Sequence, residues 1–286
     1  MKYQKINVIS GWVFFAISLI VYVLTVEPTA SFWDCGEFIA TSFKLEVPHP
    51  PGAPFFLLIG RLFSFLAGGD LEQVAYWVNM VSVLSSAFTI LFLFWSVTHL
   101  CKKFFVKPGE EDDNYKTILV MGAGAVAALT FTFSDSFWFS AVEAEVYGMS
   151  SFFTAFVFWA ILKWENIEDE SDANKWLIFI AYMMGLSIGV HLLNLVTIPA
   201  LALIVYFKRY KEITPTGIIA TLGISAAILL TILIGVIPGL PSLAARFEIY
   251  FTNSFGAPFY TGIIVFLILF TGLLVFGLWY SVKMKM

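Results

Sequence analysis

Two carboxylates, Asp34 and Glu37, lie in an otherwise apolar and aromatic stretch of the sequence, TASFWDCGEFIATSF, which begins at Thr29. Because they are three residues apart, they would share one face of a helix. A carboxylate within hydrogen-bond reach of a hydroxyl group can accept its proton while the oxygen attacks a carbon atom. Residues of these types at this spacing are therefore candidates for general-base chemistry.

The same residues also have a purely structural explanation. Ser31 followed by Asp34 fits a capping pattern at the start of a helix, which would make Asp34 a cap and Glu37 a surface charge. The neighbouring Phe32 and Trp33 would then be anchors at the membrane interface. This explanation accounts for the start of a helix but not for the remainder of the loop.

Further polar groups suited to chemistry follow at the ends of later hydrophobic segments. His49 lies in KLEVPHPPGAP, whose prolines and glycine favour an ordered, non-helical path. Glu145 lies in WFSAVEAEVYG with a second acid, Glu143, and both His191 and Asn194 lie in VHLLNL. Polar groups at such positions are costly unless they are used, so their concentration indicates a functional site.

The composition identifies the kind of protein that must position these groups. Of the 286 residues, 59% are hydrophobic and only 13% are charged, and the mean hydropathy is +0.87. A soluble domain carries roughly 25% charged residues, so the chain is predicted to be an integral membrane protein in contact with a lipid bilayer. It has no basic patch with interleaved aromatic residues, which excludes nucleic acid as a partner. Cys35 and Cys101 are too few for a disulfide framework or a cysteine metal site.

The hydrophobic pattern predicts an all-α, polytopic fold with about eight transmembrane helices in one transmembrane domain, residues 1–286. The stretch 53–67 is short for a crossing and carries an arginine, so it is expected to be an interfacial helix in a long first exterior loop, 27–73. The stretch 175–207 is too long for one span and is expected to cross twice. The predicted spans are 6–26, 74–100, 117–134, 148–164, 176–190, 195–207, 217–237 and 260–280.

The distribution of basic residues sets the orientation of these spans. With the N-terminus in the cytoplasm, all but three of the 16 Lys and Arg residues fall on the cytoplasmic side, and the exceptions are Lys44, Arg61 and Arg246. Treating 53–67 as a span, or 175–207 as one span, would invert every later segment and destroy this bias. The candidate residues Asp34, Glu37, His49, Glu145, His191, Asn194 and Arg246 are then all expected on the exterior side.

Three stretches, in this order, carry a resemblance to a known family: WDCGEFIATSFKLEVPHPPGAPFF, WFSAVEAEVYG and GLSIGVHLLNLVTIPAL. They resemble the GT-C membrane glycosyltransferases, in particular protein O-mannosyltransferases and their relatives of the transmembrane O-mannosyltransferase type. The resemblance is greatest to an uncharacterised bacterial branch, which implies the cytoplasmic membrane of a bacterium. Such enzymes usually have more spans, and this branch often adds an exterior domain, so the chain is expected to be the N-terminal part of a longer architecture.

The resemblance implies transfer of a sugar from a polyprenyl phosphate to a hydroxyl acceptor, such as a protein Ser or Thr, on the exterior face. Asp34 matches the acid of the family's first loop and is the expected base. Glu37 is expected to raise its basicity or to bind the acceptor, and Phe32, Trp33 and Phe38 are expected to keep the site partly dry. The expected substrate-binding residues are His49, Glu145 for sugar hydroxyls, and His191, Asn194 and Arg246 for the phosphate.

No cofactor is expected. Asp34, Glu37, Glu46 and His49 could be taken for a Mg²⁺ or Mn²⁺ site, since carboxylates suit these ions. However, only two of these acids share a helix face and prolines separate the others, and enzymes resembling the O-mannosyltransferases mostly use no metal.

Two other functions stay open. The chain could be a non-catalytic membrane scaffold or an inactive relative, with the acids as contact points. A transporter is a further alternative, but it would be expected to carry charges deep in its spans, where this sequence places mainly Asn79 and small polar residues.

Overall fold

The computed structural model describes residues 2–106 and 113–284, and these residues form helices and turns without a β-strand, which confirms the all-α class. The helices are α1 (Lys2–Thr25), α2 (Cys35–Lys44), α3 (Pro54–Ser64), α4 (Val74–Phe105), α5 (Asn114–Thr132), α6 (Asp135–Ala141), α7 (Val146–Glu165), α8 (Glu170–Ile188), α9 (Ile198–Arg209), α10 (Pro215–Leu230), α11 (Ile237–Phe255) and α12 (Thr261–Lys283). Two lysines counted in the charge bias, Lys107 and Lys285, lie outside the described residues.

Within the described ranges, seven helical stretches are long and apolar enough to cross a membrane, as expected of a polytopic protein. They are Tyr3–Thr25, Leu71–Phe105, Asn114–Thr132, Val146–Glu165, Leu192–Arg209, Pro215–Phe255 and Thr261–Ser281. Each overlaps one predicted span. The remaining predicted span, 176–190, overlaps α8 except for its last two residues, and the polar first turns of α8 lower the mean hydropathy of this helix. Residues Pro54–Ala67 form a shorter apolar helical stretch, as the sequence predicts, and its interfacial position stays a prediction.

The contacts divide the chain into two units, residues 1–218 and 219–286, which are described separately. In the first unit α4 is the central helix and packs against α1, α3, α5 and α7. Small residues allow close approach at these crossings, as is typical of membrane helices. Gly124 of α5, for example, lies directly against the side chains of Phe94 and Thr98 of α4.

Polar contacts fix the first loop at its start and at the start of α3. The side-chain amide of Asn79, fully buried in α4, donates to the carbonyl oxygens of Glu27 and Thr29 at 2.6 and 3.0 Å. In the interior of the loop, the carbonyl oxygen of Gly189 accepts hydrogen bonds from the backbone N–H groups of Phe55 and Phe56 at the start of α3. The loop that carries the candidate acids is therefore tied to α4 and to the connection that follows α8.

In the second unit, the segment predicted as the exterior connection 238–259 is largely helical. Residues Pro215–Phe255 form one continuous helical stretch, in which a π-helical turn, Thr231–Val236, joins α10 to α11. Pro238 and Pro241 lack the N–H that an α-helix needs, and a widened turn just before them is a common way to accommodate this. The carboxylate of Glu248 on α11 accepts from the N–H groups of Tyr260 and Ile263, which caps the start of α12.

Candidate functional site

Asp34 occupies the position just before α2, but its side chain does not cap the helix. The helix begins at Cys35, and Asp34 has helical backbone angles, φ −85° and ψ −3°, with no cap hydrogen bond from its carboxylate. A capping residue normally has extended angles, which direct its side chain at the free N–H groups of the first turn. The capping explanation from Ser31 and Asp34 is therefore wrong, and the carboxylate of Asp34, which is 54% exposed, is left available.

His49 folds back onto the two acids across the proline-containing turn. Its backbone N–H donates to Oε1 of Glu37 at 2.7 Å, and its ring atom Nδ1 lies 2.8 Å from Oε2 of the same carboxylate. Its other ring nitrogen, Nε2, lies 3.8 Å from Oδ2 of Asp34. The hydrogen bonds from His49 hold the pKa of Glu37 below its usual value, and the bond to Glu37 raises the pKa of His49.

The aromatic residues do not enclose this site in the expected way. The side chains of Phe32 and Trp33 are 79% and 88% exposed, so they do not shield the acids from solvent. Only Phe38 is buried, and its ring centroid lies 5.8 Å from that of His49. Trp33 has a left-handed backbone conformation, φ 62°, which turns the chain immediately before Asp34.

Asp34, Glu37 and His49 each offer one ligand atom within 4.8 Å of the others, a spacing that a metal ion could bridge. The sequence argument that prolines keep His49 away from the acids is therefore wrong. Glu46, the fourth residue considered for a metal site, does not belong to this group. Both oxygens of Glu37 nevertheless already accept hydrogen bonds from His49. A cation would have to share Glu37 with these hydrogen bonds, and the three groups together are few ligands for Mg²⁺ or Ca²⁺, which take about six or more oxygen ligands.

Two further carboxylates lie buried beside this group, on the turn between α6 and α7. Glu143 is 3% exposed and Glu145 is 7% exposed, and the thiol of Cys35 donates to Oε1 of Glu145 at 3.7 Å. Burial has the largest effect on the pKa of Glu143 and raises it, while the neighbouring side chains of Ser31 and Cys35 act in the opposite direction. Burial raises the pKa of both carboxyl groups, and the neighbouring charge of Asp34 raises that of Glu145 further. Glu143 is absent from the set of sequence-predicted site residues, and the Glu-x-Glu spacing is the signal that could have included it.

Replacement of Glu143 by Gln is expected to stabilise the protein at neutral pH and to leave it unchanged in acid. The pKa of Glu143 is higher in the folded state than in the unfolded state, so ionisation of this carboxyl group lowers the free energy of unfolding above the folded-state pKa. This loss of stability disappears as pH falls through the folded-state pKa toward and below the unfolded value of about 4.3. Thermal unfolding in detergent should give a higher Tm for Glu143→Gln than for wild type at pH 8 and no difference at about pH 3, well below the unfolded pKa.

Glu46→Gln is the matched control, because Glu46 is an exposed carboxylate of the first loop. It should not alter the dependence of Tm on pH. Equal Tm values for Glu143→Gln and wild type across the whole pH range would contradict the assignment of a buried, penalised carboxylate.

His191 lies at the turn after α8, beside the start of α7. Its Nδ1 accepts the backbone N–H of Leu193 at 3.1 Å, so in the neutral ring the proton is on Nε2. Burial lowers its pKa and favours this neutral form. Its ring centroid lies 5.3 Å from that of Tyr147 in the first turn of α7.

The other two expected phosphate ligands are placed differently. Asn194 is fully buried and its side-chain amide donates to Oγ of Ser187 at 2.9 Å, so it stabilises the turn between α8 and α9. Arg246 is exposed on α11 in the second unit, where it lines an apolar groove of about 350 Å³ with Leu243, Phe247, Tyr250 and Phe251. A phosphate-binding role for either residue stays a prediction.

Comparison with known proteins places this geometry in a family context. Residues 34–214 match the family described as the protein O-mannosyl-transferase TMEM260 N-terminal domain, a range that begins at Asp34 and includes every candidate residue except Arg246. The protein O-mannosyl-transferase tmem260 of Dictyostelium discoideum is 27% identical over 141 residues, which are 48% of this chain and 14% of that protein. The mouse protein O-mannosyl-transferase TMEM260 is 27% identical over 218 residues, 75% of this chain and 28% of that protein. The chain thus spans less than a third of either relative, and no solved structure matches it.

Proposed function

The chain belongs to the family of protein O-mannosyl-transferase TMEM260 N-terminal domains, and from this premise we propose that it carries the catalytic loop of a membrane glycosyltransferase. The reaction is transfer of a sugar from a polyprenyl-phosphate donor to a hydroxyl acceptor. The observation that carries this proposal is the carboxylate of Asp34, which is exposed, makes no cap bond and faces His49. The printed names of the relatives support mannose as the sugar and a protein as the acceptor.

The proposed reaction forms one bond to the anomeric carbon of the sugar and breaks another. The acceptor oxygen forms a bond to the anomeric carbon while the bond between that carbon and the phosphate oxygen breaks. Asp34 accepts the proton of the hydroxyl group, and the lipid phosphate leaves with the electron pair. Developing charge on the phosphate needs hydrogen-bond donors, and the Nε2–H of His191 is one candidate.

The charge bias supports an exterior location for this reaction. With the N-terminus in the cytoplasm, the loop 27–73 and the turns that carry Glu145 and His191 share the exterior side. A polyprenyl-phosphate sugar would reach them from the bilayer, and a protein acceptor from the aqueous phase. The cytoplasmic membrane of a bacterium is the proposed location.

We also propose that transfer needs no metal ion, because Asp34, Glu37 and His49 together would offer a divalent cation few protein ligands. The test uses membranes from cells that express the full-length protein, with labelled polyprenyl-phosphate mannose as donor. Labelled mannose should be incorporated into protein and should be released by β-elimination, as expected of a Ser or Thr linkage. The amount incorporated should be the same in excess EDTA.

Membranes from cells without the protein are the control in this assay. Loss of incorporation in EDTA that Mg²⁺ or Mn²⁺ restores would contradict metal independence. If labelled mannose enters protein no faster than in the control membranes, the glycosyltransferase proposal is wrong and a scaffold is the better assignment.

A further inference from the structure

Both hydrogen bonds that hold His49 in its orientation go to Glu37. Both oxygens of Glu37 accept from it, one from the backbone N–H and one from the ring at Nδ1, and the Phe38 ring packs beside the imidazole. A carboxylate that accepts from Nδ1–H fixes the neutral tautomer, with the proton on Nδ1 and a lone pair on Nε2. The free nitrogen of His49 is thereby the one that faces Asp34.

The free nitrogen lies just beyond hydrogen-bond distance of Asp34. Nε2 and Oδ2 of Asp34 are 3.8 Å apart, so a small rotation or one bridging water would complete a hydrogen-bonded path. The His49 side chain is 45% exposed, so a proton that reaches it can pass to solvent.

The surrounding charges disfavour contact between this residue and the lipid phosphate. The charged groups that influence His49 are Glu37, Asp34 and Glu145, and all three are carboxylates. They favour a cationic imidazole but repel a phosphate group, so His49 is poorly placed as a ligand of the lipid phosphate.

We propose that His49 is a proton relay that takes the proton from Asp34 after each transfer, and that Glu37 is the residue that positions it. This inference rests on the proposed function, in which Asp34 accepts the proton of the acceptor hydroxyl. The O–H bond of protonated Asp34 breaks, an N–H bond forms at Nε2, and the imidazolium then loses this proton to water. Asp34 is left ionised for the next turnover, and no other reactant is consumed.

The experiment compares His49→Ala and Glu37→Gln with wild type in the mannose-transfer assay, with the full-length protein. His49→Ala should lower the maximal rate by about a hundredfold, at the lower end of the range for a positioned acid–base group, without changing the KM for donor. Added imidazole should restore a large part of the rate, because it can occupy the vacated space and accept the proton.

Glu37→Gln should resemble His49→Ala, because the amide NH₂ would face Nδ1 and shift the ring proton to Nε2. The part of the decline of the wild-type rate at low pH that comes from protonation of His49 should be absent in His49→Ala and return with imidazole. Glu46→Gln, a change of another exposed acid in the same loop, should leave rate and pH profile unchanged.

An unchanged rate in His49→Ala, or a loss that imidazole does not repair in folded protein, would overturn the relay. If His49→Ala is not recovered folded, Glu37→Gln carries the same test, and a wild-type pH profile in that variant would equally overturn it. Asp34→Asn separates the relay from the proposed function. If Asp34→Asn retains activity, the proposed function is wrong. If Asp34→Asn is inactive and His49→Ala is fully active, only the relay proposal is wrong.

Discussion

Asp34→Asn is expected to lower sugar transfer by about 10²- to 10⁴-fold, the usual contribution of a positioned base. Asn keeps the size of the side chain and one oxygen but cannot accept the proton of the acceptor. Because the Asp34 carboxylate makes no cap hydrogen bond, its replacement should leave the free energy of unfolding almost unchanged. Initial rates of mannose transfer and thermal unfolding in detergent measure the two effects separately.

Asp70→Asn is the matched control for this prediction. Asp70 also precedes a helical turn in the first loop, but its carboxylate accepts from the backbone N–H of Glu72 at 3.0 Å. Its replacement should alter stability by no more than about 1 kcal/mol and leave transfer unchanged. Near-normal turnover in Asp34→Asn, or a loss of activity explained by unfolding, would remove Asp34 from the catalytic role.

Gly124→Leu is expected to prevent stable packing of α5 against α4. A Cβ atom at Gly124 would lie 2.6 Å from Cγ2 of Thr98 and 2.8 Å from a ring carbon of Phe94. Overpacking of this kind destabilises a core by about 1–3 kcal/mol or more, because neighbours must leave their preferred rotamers. The variant should show a lower Tm in detergent and a lower yield of folded protein.

Gly122→Leu provides the comparison on the same helix. A Cβ atom at Gly122 meets nothing within 4 Å, so leucine there would face outward. Leucine favours the helix over glycine by up to about 1 kcal/mol at either position, so the difference between the two variants reports packing alone. Equal stability of both variants would show that α5 does not approach α4 as closely as described.

The sequence alone determined the class of the protein and most of its spans. Long apolar segments have few alternatives in a bilayer, because every backbone polar group must be satisfied within the segment. This is why the spans 74–100 and 148–164 recur within α4 and α7, and why 53–67 was recognised as a separate short helix. The sequence also placed Asp34 and Glu37 close together, since a spacing of three residues across the start of α2 is a local property.

Contacts between distant residues were decided only by the tertiary structure. His49 reaches Glu37 because the proline turn folds back on α2, and a sequence of prolines does not specify the direction of such a turn. The burial of Glu143 and Glu145 depends on α4 and on Cys35, which the chain brings to them from afar. The missing cap at Asp34 depends on backbone angles that the pattern Ser-x-x-Asp does not fix. Local spacing therefore located the acids, whereas packing between helices decided which groups face them and which remain free to react.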